Sequence, residues 1–256
     1  MTSTIKIAIA GSRGRMGKTI VSAARAFPAF HYIGGIAHPD RSDEGLIDIP
    51  LALQTADVIV DFSTAAAATA LARQCAEHGG PALVIGATGF ETGQLREISE
   101  AARKIAIVRS GNFSIGLNIL TELISHISRT LPPETWDIEI VETHHRRKVD
   151  APSGTALMLG EAAAGGRGTS LRSVERRGRD GLVGERPAGE IGFSVVRGGG
   201  VVGEHSVIFA ADDEVITISH SALRLDMFAR GALTAARWVI GRKPGEYAMS
   251  DVLKLP

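Results

Sequence analysis

Residues 5–20 read IKIAIAGSRGRMGKTI, and this stretch decides the fold. The apolar run before Gly11 predicts a buried strand, and the apolar periodicity after Gly17 predicts a helix. The glycines between them are spaced G-x-x-G-x-x-G rather than the more usual G-x-G-x-x-G. They meet the same demands, which are a tight turn, close backbone approach to a pyrophosphate and close packing of the helix. Because glycines also serve ordinary turns, the motif favours a dinucleotide-binding unit without establishing one.

Short apolar segments alternate with helical segments through the first 113 residues. Strands are expected at 31–37, 57–62, 82–85 and 105–109, and helices at 64–78 and 94–103. This alternation is typical of a parallel sheet with crossover helices. We therefore expect an α/β fold with a Rossmann-like parallel sheet.

Small or polar residues follow three of the predicted strands. They are Asp61-Phe62-Ser63, Gly86-Ala87-Thr88-Gly89-Phe90 and Ser110-Gly111-Asn112-Phe113. Parallel sheets of this kind bind ligands outside the carboxyl ends of their strands, so the three loops are expected to converge on one crevice. For residues 61–63 a plain turn is an equally good interpretation.

The strand pattern breaks after Phe113, and a second domain is expected from there. Apolar residues from Ile115 to Ile127 trace one helix face, and segments 193–197, 204–211 and 214–220 predict an open antiparallel or mixed sheet. A last helix at about 227–240 is expected to return to the first domain. We therefore assign 1–113 and 227–256 to a dinucleotide-binding domain and 114–226 to an α+β domain for substrate binding and self-association, with 165–189 as a flexible surface loop.

Residues 142–156 read ETHHRRKVDAPSGTA and hold the densest chemistry in the chain. The two imidazoles can exchange protons near neutral pH, and Lys148 with its neighbouring arginines can neutralise carboxylates or phosphates. The stretch therefore predicts an anion-binding site that handles protons. Two other interpretations stay open. A polar surface loop would have the same composition, and a metal site is disfavoured because the spacing matches no standard zinc pattern and the cations would repel a metal ion.

The two histidines are expected to differ in role. If 136–142 is a strand that continues through the histidines, alternation places Glu142 and His144 on one side and His145 on the other. The segment after Pro152 has a helix composition, and either Asp150 or Ser153 could cap its first turn. The free amides of Gly154 and Thr155 would then face an anion.

Composition excludes several classes of protein. The chain has 256 residues, with 28 basic and 28 acidic side chains, so no net charge attracts nucleic acid or a membrane surface. The single Cys75 excludes an intrachain disulfide and is expected to be a small core residue. We see no targeting segment and no apolar run long enough to span a bilayer, so the cytoplasm is the default location.

The chain resembles the 4-hydroxy-tetrahydrodipicolinate reductase family over nearly its whole length. The matching motifs are Gly11 to Gly17, Gly86 to Phe90, Asn112-Phe-Ser-Ile-Gly116, Glu142 to Ala156, Gly184-Glu-Arg, Gly189-Glu-Ile-Gly-Phe193 and Val202-Gly-Glu-His205. The resemblance implies that reduced nicotinamide gives hydride to the ring of a cyclic dicarboxylate, which loses its hydroxyl as water.

The resemblance also implies roles for individual residues. His144 would be the proton donor and acceptor and Lys148 a second proton donor, while His145, Gly154 and Thr155 would hold the substrate carboxylates. The cofactor would be held by Gly11, Ser12, Arg13, Gly14, Arg15 and Met16 at the pyrophosphate, by Gly86, Ala87 and Thr88 at the nicotinamide ribose, and by Ser110, Gly111, Asn112 and Phe113 near the nicotinamide. A homotetramer formed through the second-domain sheets is implied as well.

One position departs from many relatives. An acidic residue commonly ends the second strand and binds the adenosine ribose, whereas this chain has His38 there, followed by Pro39 and Asp40, with Arg41 and Arg15 available to assist a phosphate. A protonated histidine favours a 2′-phosphate, so we expect both NADPH and NADH to be used, with a preference for NADPH. His38 as a plain surface residue is the alternative. Two rival functions are a related imine or amino-acid dehydrogenase and a dinucleotide-sensing protein without turnover.

Overall fold

The computed structural model describes residues 4–36 and 45–255 of the chain. Contacts divide the chain into two compact units: the first comprises Met1–Ile115 and Leu225–Leu255, and the second comprises Gly116–Arg224. In the described part of the chain, no helix combines the length and the apolar character needed to cross a membrane. Each unit has its own sheet, with hydrophobic residues packed against it.

The first unit is built on a parallel sheet whose described part has seven strands in the order β12-β6-β5-β4-β1-β2-β3. The strands are β1 (Ile5–Ala10), β2 (Phe30–Ile36), β3 (Leu46–Ile47), β4 (Val58–Asp61), β5 (Ala82–Ile85), β6 (Ala106–Arg109) and β12 (Gly245–Tyr247). The helices are α1 (Arg15–Ala26), α2 (Ile49–Thr55), α3 (Ala65–His78), α4 (Thr92–Ala102), α8 (Asp226–Val239) and α9 (Met249–Leu253). The Rossmann-like parallel sheet expected from the sequence is confirmed.

Both faces of this sheet are buried, which explains its apolar strands. On β1, Ile7 and Ile9 pack into a core that includes residues of α1 and α8, while Ala8 packs into a core with residues of α3 and α4. Cys75 lies in this second core and is fully buried, so its prediction as a core residue is confirmed. Burial raises the pKa of its thiol to about 12, with a smaller contribution from Asp61, so the thiolate nucleophile is suppressed.

The second unit contains a mixed sheet in the order β11-β10-β7-β9-β8. Its strands are β7 (Asp137–His144), β8 (Glu175–Arg177), β9 (Ile191–Arg197), β10 (Gly203–Ala210) and β11 (Val215–Ala222), and its helices are α5 (Ile115–Thr130), α6 (Gly154–Gly166) and α7 (Leu171–Val174). The pairs β7·β10 and β10·β11 are antiparallel, whereas β7·β9 and β8·β9 are parallel. One face carries a core in which Ile140, Val207 and Phe193 pack with Leu159 of α6. The predicted open mixed sheet is confirmed.

The prediction of a flexible surface loop at 165–189 is wrong for part of that range. Residues 171–177 form α7 and β8 instead. The arginines that follow are ion-paired: Arg186 donates to the carboxylates of Asp137 and Glu139, and Arg179 donates to Glu139. These pairs fix the segment against β7, and no local sequence pattern predicted them because the partners lie 40, 47 and 49 positions away.

Candidate active site

The turn between β1 and α1 can exist only with glycines. Gly11 has a φ of +73°, and a Cβ there would lie 2.7 Å from the carbonyl oxygen of Phe62. A Cβ on Gly17 would lie 2.0 Å from the carbonyl oxygen of Gly11, so the helix packs directly on the turn. Any larger residue at either position would collide with backbone.

The first backbone N–H groups of α1 face this glycine turn. Gly14 is its N-cap, and among the described residues no side chain caps the helix. The first amides of a helix lack internal partners and carry the positive end of the helix dipole, so they bind anions well. Gly11, Ser12, Arg13, Gly14, Arg15 and Met16 therefore form a turn that fits a pyrophosphate.

The other predicted cofactor segments end neighbouring strands at the same edge of the sheet. β1, β4, β5 and β6 are adjacent and parallel, so their carboxyl ends lie side by side. Gly86-Ala87-Thr88 follows β5, and Ser110-Gly111-Asn112-Phe113 follows β6. The rings of Phe62 and Phe113 pack with centroids 5.5 Å apart, and a Cβ on Gly86 would lie 2.3 Å from the Phe62 ring. The structure thus brings these predicted segments together.

The loop after β4 is held by the buried Asp61 carboxylate. The backbone N–H and the hydroxyl of Ser63 both donate to one oxygen of Asp61, at 2.7 and 2.5 Å. Burial raises the pKa of Asp61 despite these bonds. Asp61 therefore fixes the position of Phe62 beside Gly86.

A cationic cleft of about 400 Å³ adjoins the glycine turn. Its described lining consists of Ser12, Arg13, Lys18, Val21, Ser22, Arg25, Tyr32, Gly45 and Leu46, which includes three cations and no acid. The Arg25 guanidinium lies 5.0 Å above the Tyr32 ring. Of the cofactor residues predicted from sequence, His38 lies outside the described residues, as does Arg41.

In the second unit, β7 presents the predicted alternation. Glu142 and His144 point to the buried side of the strand and are only 1% and 8% exposed. An oxygen of Glu142 lies 2.5 Å from Nδ1 of His144. This short charge-assisted contact ties a buried carboxylate to a buried imidazole.

Three further donors hold the Glu142 carboxylate. Arg197 donates to both of its oxygens, at 2.7 and 2.8 Å, and the backbone N–H of Ser153 donates at 2.9 Å. Burial alone would raise the pKa of Glu142, but the bonds from Arg197, His144 and Ser153 outweigh it and hold the pKa below its usual value. Glu142 is therefore ionised at neutral pH.

A second buried histidine packs on the first. The His205 ring lies edge-on to His144 with centroids 5.1 Å apart, and its Nε2 shares a 3.0 Å hydrogen bond with the Ser153 hydroxyl. Burial, followed by the charge of His144, lowers the pKa of His205 to about 4. His205 is consequently neutral and adds no positive charge beside His144.

Lys148 lies in the loop between β7 and α6, with a carboxylate beside it. Its ammonium lies 2.9 Å from the Asp150 carboxylate, and the hydrogen bond from Lys148 lowers the pKa of Asp150. Of the two predicted caps, Ser153 is the N-cap, because its hydroxyl accepts from the N–H of Ala156 at 3.1 Å. The helix starts at Gly154, so Gly154 and Thr155 occupy its first turn as predicted.

His145 is oriented separately from His144. Its backbone N–H donates to the carbonyl of Val201 at 2.7 Å, while its Nδ1 is buried and has no hydrogen-bond partner within the part of the chain that the structure describes. A buried polar atom without a partner commonly marks a ligand or water position. No described group of three or more His, Cys, Asp or Glu residues is arranged to hold a metal ion.

Family models match both units of the chain. Residues 5–113 match the model described as dihydrodipicolinate reductase, N-terminus, and residues 116–253 match the model described as dihydrodipicolinate reductase, C-terminus. The chain belongs to the dihydrodipicolinate reductase family. The family resemblance noted in the sequence is thereby confirmed.

Individual relatives of this family cover the whole chain. The 4-hydroxy-tetrahydrodipicolinate reductase of Caulobacter vibrioides is 53% identical over 253 residues, covering 99% of this chain and 98% of the relative. That of Parvibaculum lavamentivorans is 45% identical over 274 residues, covering 99% of each. A dipicolinate-bound dihydrodipicolinate reductase from Paenisporosarcina sp. TG-14 has the same fold, with a TM-score of 0.80 at 24% identity, covering 97% of this chain and 99% of that one.

Two members of the buried cluster in this reductase-family chain, Arg197 and His205, were not predicted as site residues from the sequence. Arg197 received no role, and His205 was noted only within a matching motif. Both reach Glu142 or Ser153 across sheet pairings, β7 with β9 and β7 with β10. An arginine at the end of the predicted strand 193–197 was the available signal, since a charge that is buried there requires a partner.

Proposed function

We propose that the chain catalyses the NAD(P)H-dependent reduction of (2S,4S)-4-hydroxy-2,3,4,5-tetrahydrodipicolinate to (S)-2,3,4,5-tetrahydrodipicolinate, with loss of water, in the diaminopimelate and lysine pathway. One hydride and one proton enter, and the hydroxyl leaves as water. The observation that carries this proposal is the buried Glu142–His144 contact next to Lys148 and the first turn of α6. It supplies proton donors and an anion site in one place, as this reaction requires, in a chain of the matching family.

The first unit is proposed to hold the dinucleotide. The glycine turn and the uncapped start of α1 fit the pyrophosphate, while Gly86, Ala87 and Thr88 would bind the ribose and Ser110, Gly111, Asn112 and Phe113 the nicotinamide. When bound, the reduced nicotinamide supplies the hydride. The phenyl rings of Phe62 and Phe113 would exclude water from that end of the crevice.

The second unit is proposed to hold the substrate dicarboxylate. Gly154 and Thr155 offer first-turn amides, and His145 offers an Nδ1 that has no partner among the described residues. Asp150 now lies against Lys148 and contributes a hydrogen bond with Gly154, so a substrate carboxylate would replace the Asp150 carboxylate there. The dipicolinate bound by the Paenisporosarcina reductase is a cyclic dicarboxylate, which supports this substrate class.

Protons are proposed to come from His144 and Lys148. The ionised Glu142 holds the His144 ring in place, and an imidazole can exchange a proton with the substrate near neutral pH. Lys148, whose side chain is 20% exposed, is the second proposed donor. General acid catalysis of this kind is worth about a hundredfold to ten-thousandfold.

NADPH is proposed as the preferred cofactor, with NADH also used. The cleft beside the glycine turn carries Arg13, Lys18 and Arg25, and its described lining has no carboxylate to bind ribose hydroxyls. Clustered cations favour a 2′-phosphate. His38 and Arg41, which lie outside the described residues, would add to this preference.

Replacing Arg25 with alanine should raise the KM for NADPH by about tenfold to a hundredfold, since hydrogen bonds to charged groups contribute about 1.5–3 kcal/mol. The KM for NADH should stay near its wild-type value, because NADH has no 2′-phosphate. Steady-state kinetics with both cofactors measures this, with Arg96→Ala, an exposed cation on α4, as the matched control. A wild-type kcat/KM at least tenfold higher with NADH would overturn the NADPH preference.

Self-association is proposed through the open face of the second sheet. That face carries Val141, Thr143, Val196, Ile208 and Thr217, which are at least partly exposed and lie in register across β7, β9, β10 and β11. A sheet face of small and β-branched residues is suited to pack against a copy of itself. We propose a homotetramer, for which sedimentation equilibrium should give the mass of four chains.

We also propose a cytoplasmic location, where reduced nicotinamide is supplied.

The reductase proposal is tested by following the absorbance of reduced nicotinamide. The substrate is made in the assay from pyruvate and aspartate semialdehyde by the synthase that precedes this reaction in the pathway. The control omits that synthase. Oxidation that depends on the synthase product supports the proposal. Tight cofactor binding without oxidation would favour a sensing protein, and oxidation with linear oxo acids instead would favour an amino-acid dehydrogenase.

A further inference from the structure

The Glu142–Arg197 ion pair lies at the end of β7 and β9, directly against His144. We propose that Glu142 is a positioning residue that fixes the hydrogen of His144 on Nδ1, so that Nε2 exchanges the catalytic proton, and that Arg197 holds Glu142 in place. This inference rests on the proposed function, because it requires His144 to be the proton donor.

The hydrogen-bond pattern around Glu142 determines which atom carries the hydrogen. Arg197 and the Ser153 N–H can only donate, so both carboxylate oxygens already accept from groups with fixed hydrogens. An ionised carboxylate only accepts, so the hydrogen in the 2.5 Å contact belongs to Nδ1 of His144. In the neutral ring Nε2 is then the acceptor, and in the protonated ring it is the nitrogen left to donate.

Space next to Nε2 comes from a glycine. Gly203 begins β10, and a Cβ there would lie 3.0 Å from Nε2 of His144. The absence of a side chain at this position leaves room against the nitrogen that is proposed to exchange the proton. The carboxylate thus occupies one edge of the ring while the other edge lies beside a glycine.

The other titratable groups of this cluster do not substitute for Glu142. His205 packs on His144 but is neutral, since burial lowers its pKa to about 4. Burial also lowers the pKa of His220, and Lys148 is paired with Asp150. Glu142 is therefore the carboxylate that holds the His144 ring by direct contact.

Arg197 has a second contact that links both proposed proton donors. Its Nη2 donates to the backbone carbonyl of Asp150 at 2.8 Å as well as to Glu142. Asp150 is the residue that pairs with Lys148. One guanidinium therefore fixes the carboxylate behind His144 and the segment that carries Lys148.

The direct test is Glu142→Gln, with Glu139→Gln as the matched control. Glu139 is an ion-paired carboxylate on the same strand that contacts Arg179 and Arg186 instead. We expect Glu142→Gln to lower kcat by about tenfold to a hundredfold, which is less than the loss expected when the general acid His144 is itself replaced. The change in KM should be smaller than the change in kcat. A merely structural role would not move the hydrogen of the His144 ring from Nδ1 to Nε2, which is the readout that the NMR measurement below provides.

A double variant, Glu142→Gln with Arg197→Met, covers the case in which the single variant does not fold. It removes both charges together, so no buried charge is left without a partner. The same loss of kcat is expected. A folded double variant with wild-type kcat would overturn the inference.

Nitrogen NMR of the His144 ring separates this inference from the proposed function, since it needs no turnover. The neutral wild-type ring should be protonated on Nδ1, and in Glu142→Gln the Nε2-protonated form should become populated. A wild-type ring protonated on Nε2 would overturn the inference even if the enzyme is active. An inactive wild type with the Nδ1 form would instead contradict the proposed function alone.

Discussion

Replacing His144 with glutamine should lower kcat by about a hundredfold to ten-thousandfold, the usual contribution of a positioned general acid. The ring of His144 is buried against Glu142 and His205, so it is held where it lies rather than sampling solvent. Glutamine has a similar reach and can still donate to Glu142, but it cannot release a proton near neutral pH. Stopped-flow or steady-state kinetics at saturating substrate measures the loss.

The fold should survive this change, which distinguishes lost chemistry from lost structure. Because the Glu142 carboxylate keeps its bonds from Arg197 and Ser153, the midpoint of urea unfolding should change little. His126→Gln, at an exposed position on α5, is the matched control and should have wild-type kcat. A His144→Gln enzyme within threefold of wild type, as an order-of-magnitude limit, would remove His144 from the proposed chemistry.

Replacing Lys148 with methionine should affect binding and turnover together. The ammonium is proposed to contact a substrate carboxylate and to donate a proton, so we expect KM to rise about tenfold or more and kcat to fall by about a hundredfold or more. The paired Asp150 side chain is 54% exposed, so leaving it without Lys148 costs little stability. Kinetics over a range of substrate concentrations separates the two effects.

Arg129→Met is the control for Lys148→Met, since it removes an exposed cation from α5 in the same unit. Its kinetic constants should match those of the wild type. If the Lys148→Met enzyme had a raised KM and an unchanged kcat, Lys148 would be a binding residue and not a proton donor.

The local parts of the fold were predictable because short-range patterns determine them. The glycine turn after β1 and the apolar strands up to Arg109 gave the parallel sheet, and the alternation around Glu142 and His144 was confirmed. The short elements β3 and β12 were not expected. Each has two or three residues, too few to show a period, and is defined by pairing with a strand already in the sheet.

The buried cluster could be predicted only in part, because only some of its residues are neighbours in the sequence. Residues 142–156 are contiguous, so their composition showed an acid and an anion site, and Ser153 was one of two expected caps. Arg197 and His205 join the cluster through strand register, which depends on how β7, β9 and β10 pair over about fifty residues of chain. A single sequence does not encode that register in any local pattern.

The central claim is that this chain transfers hydride to the ring of a cyclic dicarboxylate, and isotope transfer tests it most directly. NADPH carrying deuterium at both C4 positions is supplied with pyruvate, aspartate semialdehyde and the preceding synthase, and the products are analysed by mass spectrometry. The account predicts that one deuterium enters tetrahydrodipicolinate for each cofactor oxidised. With His144→Gln, almost no labelled product should form over the same time. Oxidation of the cofactor without label in that product, or label in a linear amino acid, would contradict it.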